Sequence, residues 1–252
     1  MRRILSRIPE GLKLIGSMLA DLCFPKSCAG CGKIDNRSEG FWCAACVEEI
    51  PRIASPICPR CGRPFLDAPD SPDHLCGECL KSAFHFDSAR SAVLHAGIVR
   101  DRIHQFKFHG RLEWVRPLAE LLEITHSGRE IAPLDMVLPV PLHINRIKER
   151  GFNQSGLLAR ELARKLGLPV FYDLLIRQKW TEPQTRLNRR ERLKNVKGAF
   201  AAPDAEKIRD RRILLIDDVF TTGETLSECA RTLKKKGASE VHALTVTRAS
   251  PD

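Results

Sequence analysis

The stretch Arg212 to Thr225, RILLIDDVFTTGET, limits the fold of this chain more than any other. Its aliphatic run, Ile213 to Ile216, shows no polar alternation, which predicts a strand covered on both faces, as in a parallel sheet between helices. Two carboxylates, Asp217 and Asp218, stand at the carboxyl end of that strand. The small turn Thr221-Thr222-Gly223-Glu224-Thr225 comes next, then a helix-like run closing on Gly237. Such a turn is an anion cradle, with exposed N–H groups at a helix N-terminus, extra hydroxyl donors and a glycine that permits close approach. Carboxylates do not ligate phosphate, but they suit sugar hydroxyls or a divalent cation beside it. A phosphorylated sugar satisfies both halves of the stretch.

From Ile213 to Thr225 the sequence resembles the type I phosphoribosyltransferases, in which four apolar residues, two acids, two variable residues and TTGxT form the loop for phosphoribosyl pyrophosphate (PRPP). The resemblance implies that Thr221, Thr222, Gly223, Glu224 and Thr225 hold the ribose 5′-phosphate. It assigns the ribose 2′- and 3′-hydroxyls to Asp217 and Asp218. The competing reading is a capped strand–turn–helix without a ligand.

Ten cysteines divide the chain unevenly: nine lie between Cys23 and Cys79, and Cys229 stands alone. Two parts of different chemistry are therefore expected. The pairs Cys28/Cys31, Cys43/Cys46, Cys58/Cys61 and Cys76/Cys79 each enclose two residues, the spacing at which one tight turn offers two thiolates to one Zn²⁺. CAGCGK and CPRCGR carry glycine and a base after the second cysteine, whereas WCAACVEEI and LCGECLKSA run into helix-like residues. This ABAB pattern favours two consecutive zinc ribbons, Cys28/31/43/46 and Cys58/61/76/79, over an interleaved pairing. Cys23 and His74 have no place in the scheme. Four thiolates leave no open coordination position, so both Zn²⁺ ions are expected to be structural. The formal charge of +10 falls to about +6 once two such sites are loaded. Lys26, Lys33, Arg37, Arg52, Arg60 and Arg63 give the ribbons a basic skin that also fits nucleic acid.

The opening MRRILSRIPEGLKLIGSMLADL has a basic start, but Lys13 and Asp21 interrupt its apolar run and no small-residue cleavage site precedes Cys23. Leu12, Ile15, Leu19 and Leu22 fall at helical spacing, predicting an amphipathic helix over 1–22 that packs on the protein, or alternatively lies on a membrane surface. No stretch supplies the roughly 20 apolar residues of a transmembrane segment. A cytoplasmic location is expected, where reducing conditions make CxxC pairs metal ligands.

From Phe86 onward strand-like and helix-like runs alternate. DMVLPVPLH reads as a strand, then a polar loop holds Arg146, Lys148, Arg150, Gly151, Asn153 and Gln154 before a helix over Ser155–Leu166. A basic loop with a glycine at a helix start suits a pyrophosphate. PVPLHINRIKERGFNQ also resembles the ComF family, a branch of phosphoribosyltransferase-like proteins associated with bacterial competence and DNA uptake, which joins a cysteine-rich ribbon to this fold. Residues 177–200 are basic and amide-rich, and read as a flexible lid, with Gln184, Thr185 and Arg192 matching the family pattern, or as a plain basic surface loop.

The expected fold is α/β: a type I phosphoribosyltransferase-like, mostly parallel sheet of about five strands with helices on both faces, over 86–252, preceded by a double zinc ribbon over 23–85. The implied reaction is transfer of phosphoribose from Mg²⁺–PRPP to an unidentified nucleobase or other acceptor, with Asp217, Asp218 and Arg150 as catalytic residues. The alternative is a non-catalytic PRPP-responsive protein that binds single-stranded DNA or DNA-uptake partners.

Overall fold

The computed structural model describes residues 26–35, 38–65, 70–81, 84–127, 133–180 and 196–249. The chain forms two compact units, Met1–Glu49 and Ile50–Asp252. The helix expected over 1–22, Cys23, Arg37 and the lid residues Gln184, Thr185 and Arg192 lie outside the described residues.

In the smaller unit the chain doubles back at a knuckle: Cys28 N–H donates to Lys33 O at 2.8 Å and Gly32 N–H to Cys28 O at 2.9 Å. Gly32 adopts φ +75°, the left-handed conformation that lets the turn close. Helix α1, Ala44–Glu49, starts directly after Cys43 and carries Cys46, which is buried, as is Trp42.

The larger unit begins with the same device. Cys58 N–H donates to Arg63 O and Gly62 N–H to Cys58 O, both at 2.8 Å, and α2, Gly77–Lys81, carries Cys79. The main sheet then uses β1 (Ser88–Leu94), β2 (Met136–Pro139), β5 (Arg212–Phe220) and β6 (Glu240–Arg248) in the order β1-β6-β5-β2, all parallel. A short antiparallel pair, β3 (Ile176–Arg177) and β4 (Phe200–Ala201), stands apart from it. Among the described residues the fifth position of the main sheet shrinks to one bridge, Val137 to Val170. Val137 N–H still donates to Pro169 O at 2.9 Å, but proline has no N–H with which to extend a ladder.

The crossovers are α3 (Gly97–His109), α4 (Val115–Ser127), α6 (Gln154–Leu166) and α8 (Glu224–Lys234). Helix α3 stops at Gly110, whose φ of +63° is the left-handed cap conformation. The segment expected as a polar loop is instead a short helix, α5 (Ile144–Arg150), because its residues favour helix and Gly151 at φ +85° ends it. Helix α7 (Ala205–Ile208) precedes β5.

Strand β5 is sandwiched as the aliphatic run demands. Ile213 and Leu215 share one core cluster with Leu226, Cys229, Ala230 and Leu233 of α8, while Leu214 and Ile216, equally buried, point away from that cluster. Helix α6 packs on β2, β5 and α4, and α4 also packs on β1 and β6. Each such aliphatic side chain contributes roughly 1.5–3 kcal/mol by burial. The second knuckle belongs to the α8 side: Cys58, Cys61, Cys76 and Cys79 lie in the same core cluster as Phe84, Phe86 and Phe220.

Candidate functional site

The parallel arrangement brings the ends of β1, β2 and β5 to one edge, where ligands gather in open α/β sheets. A cavity of about 610 Å³ opens there, walled by Asp217, Asp218, Thr221, Gly223 and Thr225, by Val140 to Leu142 and Gln154, and by Ile103, His104, Lys107 and Phe108 of α3. The glycine turn and the acid pair therefore face the same space. Thr222, Glu224, Arg150, Gly151 and Asn153 stand outside its wall.

Gly223 caps α8 with φ +79°, and a Cβ there would stand 2.5 Å from Cζ of Phe220. Only glycine fits. The turn thus delivers the first N–H groups of an eleven-residue helix to the cavity.

Asp217 Oδ1 accepts from Ser155 Oγ at 2.7 Å and from Asp218 N–H at 2.9 Å. Burial, and then the neighbouring Asp218 charge, raise its carboxyl to about 7, against the pull of Ser155 and Lys107. Asp218 is 3% exposed; its Oδ1 meets Lys107 Nζ at 2.8 Å while its buried Oδ2 has no hydrogen-bond partner. His95, just past β1, bonds Thr247 Oγ1 through Nδ1 at 2.8 Å, and burial, then Lys107, push its imidazole down toward the neutral form.

Asn153 holds the turn between α5 and α6. Asn153 Oδ1 accepts from Ser155 N–H at 3.1 Å, capping α6, and Nδ2 donates to Val140 O at 3.1 Å. Arg150 Nη1 donates to Gln154 Oε1 at 2.5 Å and lies over the Phe108 ring at 5.6 Å. Trp180 packs edge-on against His143 at 5.1 Å and under Arg146 at 5.6 Å, an anchoring position. Among the basic residues here, Lys107 is tied to Asp218, Arg111 to Glu113 and Arg146 to Glu149.

The cysteines gather as two four-sulfur clusters, Cys28/Cys31/Cys43/Cys46 and Cys58/Cys61/Cys76/Cys79, with ligand atoms within 4.8 Å of one another. The consecutive grouping is the one observed. Backbone N–H groups of Gly30 and Cys43 point at Cys28 Sγ at 3.3 and 3.2 Å, and that of Cys76 at Cys58 Sγ at 3.5 Å. Such N–H···S contacts stabilise thiolates, and four converging sulfurs fit tetrahedral Zn²⁺. Although burial opposes it, those donors lower Cys28 to about 6. His74 takes no part; it stacks on Phe65 at 3.9 Å.

Sequence reasoning did not single out Ser155 or His95 at this edge, took Arg177 only as the start of the expected lid, and did not foresee the pairing of Lys107 with Asp218. A lysine in the last turn of a helix looks like a simple complement to the helix dipole. Ser155 left one signal: a hydroxyl at a helix start next to Asn153 and Gln154, fully buried in the structure.

Residues 19–80 match the double zinc ribbon domain and residues 153–250 the phosphoribosyl transferase domain. Competence protein F of Haemophilus influenzae is 32% identical over 82% of this chain and 90% of that protein. DNA utilization protein YhgH of Escherichia coli K12 is 33% identical, covering 83% of this chain and 92% of that protein. Competence protein ComFC of Bacillus subtilis is 30% identical, covering 82% and 83%. Among solved structures, a glutamine phosphoribosylpyrophosphate amidotransferase from B. subtilis aligns over 51% of this chain and 25% of its own at 19% identity, with a TM-score of 0.35.

Proposed function

The chain belongs to the ComF family of competence and DNA utilization proteins, and on that premise we propose that it binds Mg²⁺–PRPP at the glycine turn and transfers phosphoribose to an acceptor. The observation that carries this reading is Asp218 Oδ2, buried without a partner beside Asp217 at the wall of the cavity that Gly223 also lines. A buried acceptor left without a donor costs about 1–3 kcal/mol, which ribose hydroxyls would offset. The N–H groups at the start of α8, with Thr221, Thr222 and Thr225, bind the 5′-phosphate. Arg150, Gly151, Asn153 and Gln154 receive the pyrophosphate, Arg150 by charge. Asp217 and Asp218 are the residues able to hold Mg²⁺ beside the ribose hydroxyls, and the ion would supply charge neutralisation for the pyrophosphate. The acceptor enters against Ile103, His104 and Phe108. Both Zn²⁺ ions are structural, and a reducing cytoplasm keeps their thiolate ligands available.

Calorimetric titration with Mg²⁺–PRPP tests the site. Asp217→Asn with Asp218→Asn should weaken binding by roughly 1.5–3 kcal/mol per charge-assisted hydrogen bond lost. Unchanged affinity overturns the assignment of both acids. The DNA utilization name of the relatives and the net charge of +10 favour a second, non-catalytic reading, in which PRPP governs binding of single-stranded DNA. Pyrophosphate release against a panel of bases separates the two. Under the second reading no base is turned over, PRPP competes with DNA, and log affinity falls with log salt by about 0.7 per phosphate neutralised.

A further inference from the structure

Arg248, the last residue of β6, is buried and reaches into the second cysteine cluster. Its Nη1 donates to Cys61 O at 2.8 Å, its Nη2 lies 3.8 Å from Cys61 Sγ, and its guanidinium carbon sits 4.2 Å from the centre of the Phe220 ring. The charges that act on it are the sulfurs of Cys61 and Cys76, in its favour, and Arg63, against it. A buried guanidinium needs an anionic partner, and four thiolates on one Zn²⁺ carry a net charge of about −2.

Phe220 ends β5 and braces the glycine turn: a Cβ on Gly223 would meet its ring at 2.5 Å and the Phe84 ring at 3.1 Å. Phe84 leads back to the same knuckle, since its carbonyl accepts from Arg60 Nη2 at 2.5 Å. The next residue, His85, donates its N–H to Ser227 Oγ in the first turn of α8 at 3.2 Å.

We propose that Arg248 is a positioning residue through which the zinc-loaded second cluster holds Phe220, and with it the anion-binding turn, in place. This rests on the reading of Gly223 and its neighbours as a phosphate site. The coupling is reciprocal by linkage, so an anion at the turn must in turn retain the second Zn²⁺.

Transfer of zinc from the full-length protein to a chromogenic chelator tests it, with and without ribose 5-phosphate. Cys31→Ser removes the first site and identifies the phase that belongs to the second. Ribose 5-phosphate should slow that phase at least about fivefold and leave the first-site phase unchanged. Arg248→Leu, which keeps apolar packing but removes the guanidinium, should abolish the slowing and weaken ribose 5-phosphate binding about tenfold, with zinc stoichiometry still two at the start. Should that variant fail to fold, Phe220→Leu removes the ring while sparing the contacts of Arg248 with Cys61, and the slowing should vanish there too. Equal slowing of both phases, or slowing that persists in either variant, overturns the proposal. Direct calorimetry on the wild type distinguishes the failures: no ribose 5-phosphate binding overturns the site reading and this proposal together, whereas binding without slowing overturns this proposal alone.

Discussion

The two cysteine knuckles share one backbone design and differ in what surrounds them. Cys28 to Lys33 and Cys58 to Arg63 close with the same pair of hydrogen bonds and the same left-handed glycine. Around Gly32 nothing lies within 4 Å of where a Cβ would sit; at Gly62 the carbonyl of Ala89 in β1 is 2.7 Å away. Cys31 is exposed and Cys43 half-buried, whereas all four sulfurs of the second cluster are buried in a core continuous with β5 and α8. A metal site can therefore stand in for a core or become part of one, and the ligand pattern does not distinguish the two cases.

Ligand loss should expose this difference most. Cys58→Ser is expected to lower the thermal midpoint of the larger unit by about 10 °C, as breaking a buried charged cluster costs about 3–5 kcal/mol. Cys28→Ser should reduce bound zinc from two ions to one per chain while moving that midpoint by less than about 2 °C. Calorimetry with metal analysis checks both, and equal losses of midpoint would erase the contrast.

A gentler comparison uses the glycines. Alanine at Gly32 pays only the left-handed strain of about 1–2 kcal/mol, while alanine at Gly62 also overpacks against β1, adding about 1–3 kcal/mol. Urea unfolding of the two variants should rank them in that order.

The smallest effect is electrostatic and concerns the acid pair of the larger unit. Burial, and then Asp218, raise Asp217 to about 7, above its ordinary value near 4. Its contribution to stability is therefore complete below about pH 4 and is lost as pH rises through about 7. Without ligand, Asp217→Asn should remove that part of the slope and leave the midpoint at pH 8 above that of wild type. Parallel pH profiles for the two proteins would refute the assignment, whereas the zinc content of the first knuckle should not respond.

What the sequence revealed was local. Strand β5, the short helices that carry Cys46 and Cys79 and the shared edge of turn and acids all follow from neighbouring residues. What it concealed depends on partners far along the chain. Arg248 looks like a charge after an apolar strand until Cys61 and Phe220 are placed beside it, and Lys107 until Asp218 is. Next to Pro169 the fifth position of the expected five-stranded sheet is only a bridge, and helix propensity with a glycine stop turned residues 144–150 from loop to helix.

The placement of β6 has a consequence for synthesis. Among the described residues it is the last strand in chain order yet lies between β1 and β5, pairing Ser88 with His242 across 154 residues. Neither inner edge can be satisfied until this segment leaves the ribosome, so β1 and β5 wait as open templates for wrong partners. Such nonlocal closure slows folding. The four ligands of the second knuckle are likewise made long before Arg248, whereas the first knuckle has all four of its ligands between Cys28 and Cys46.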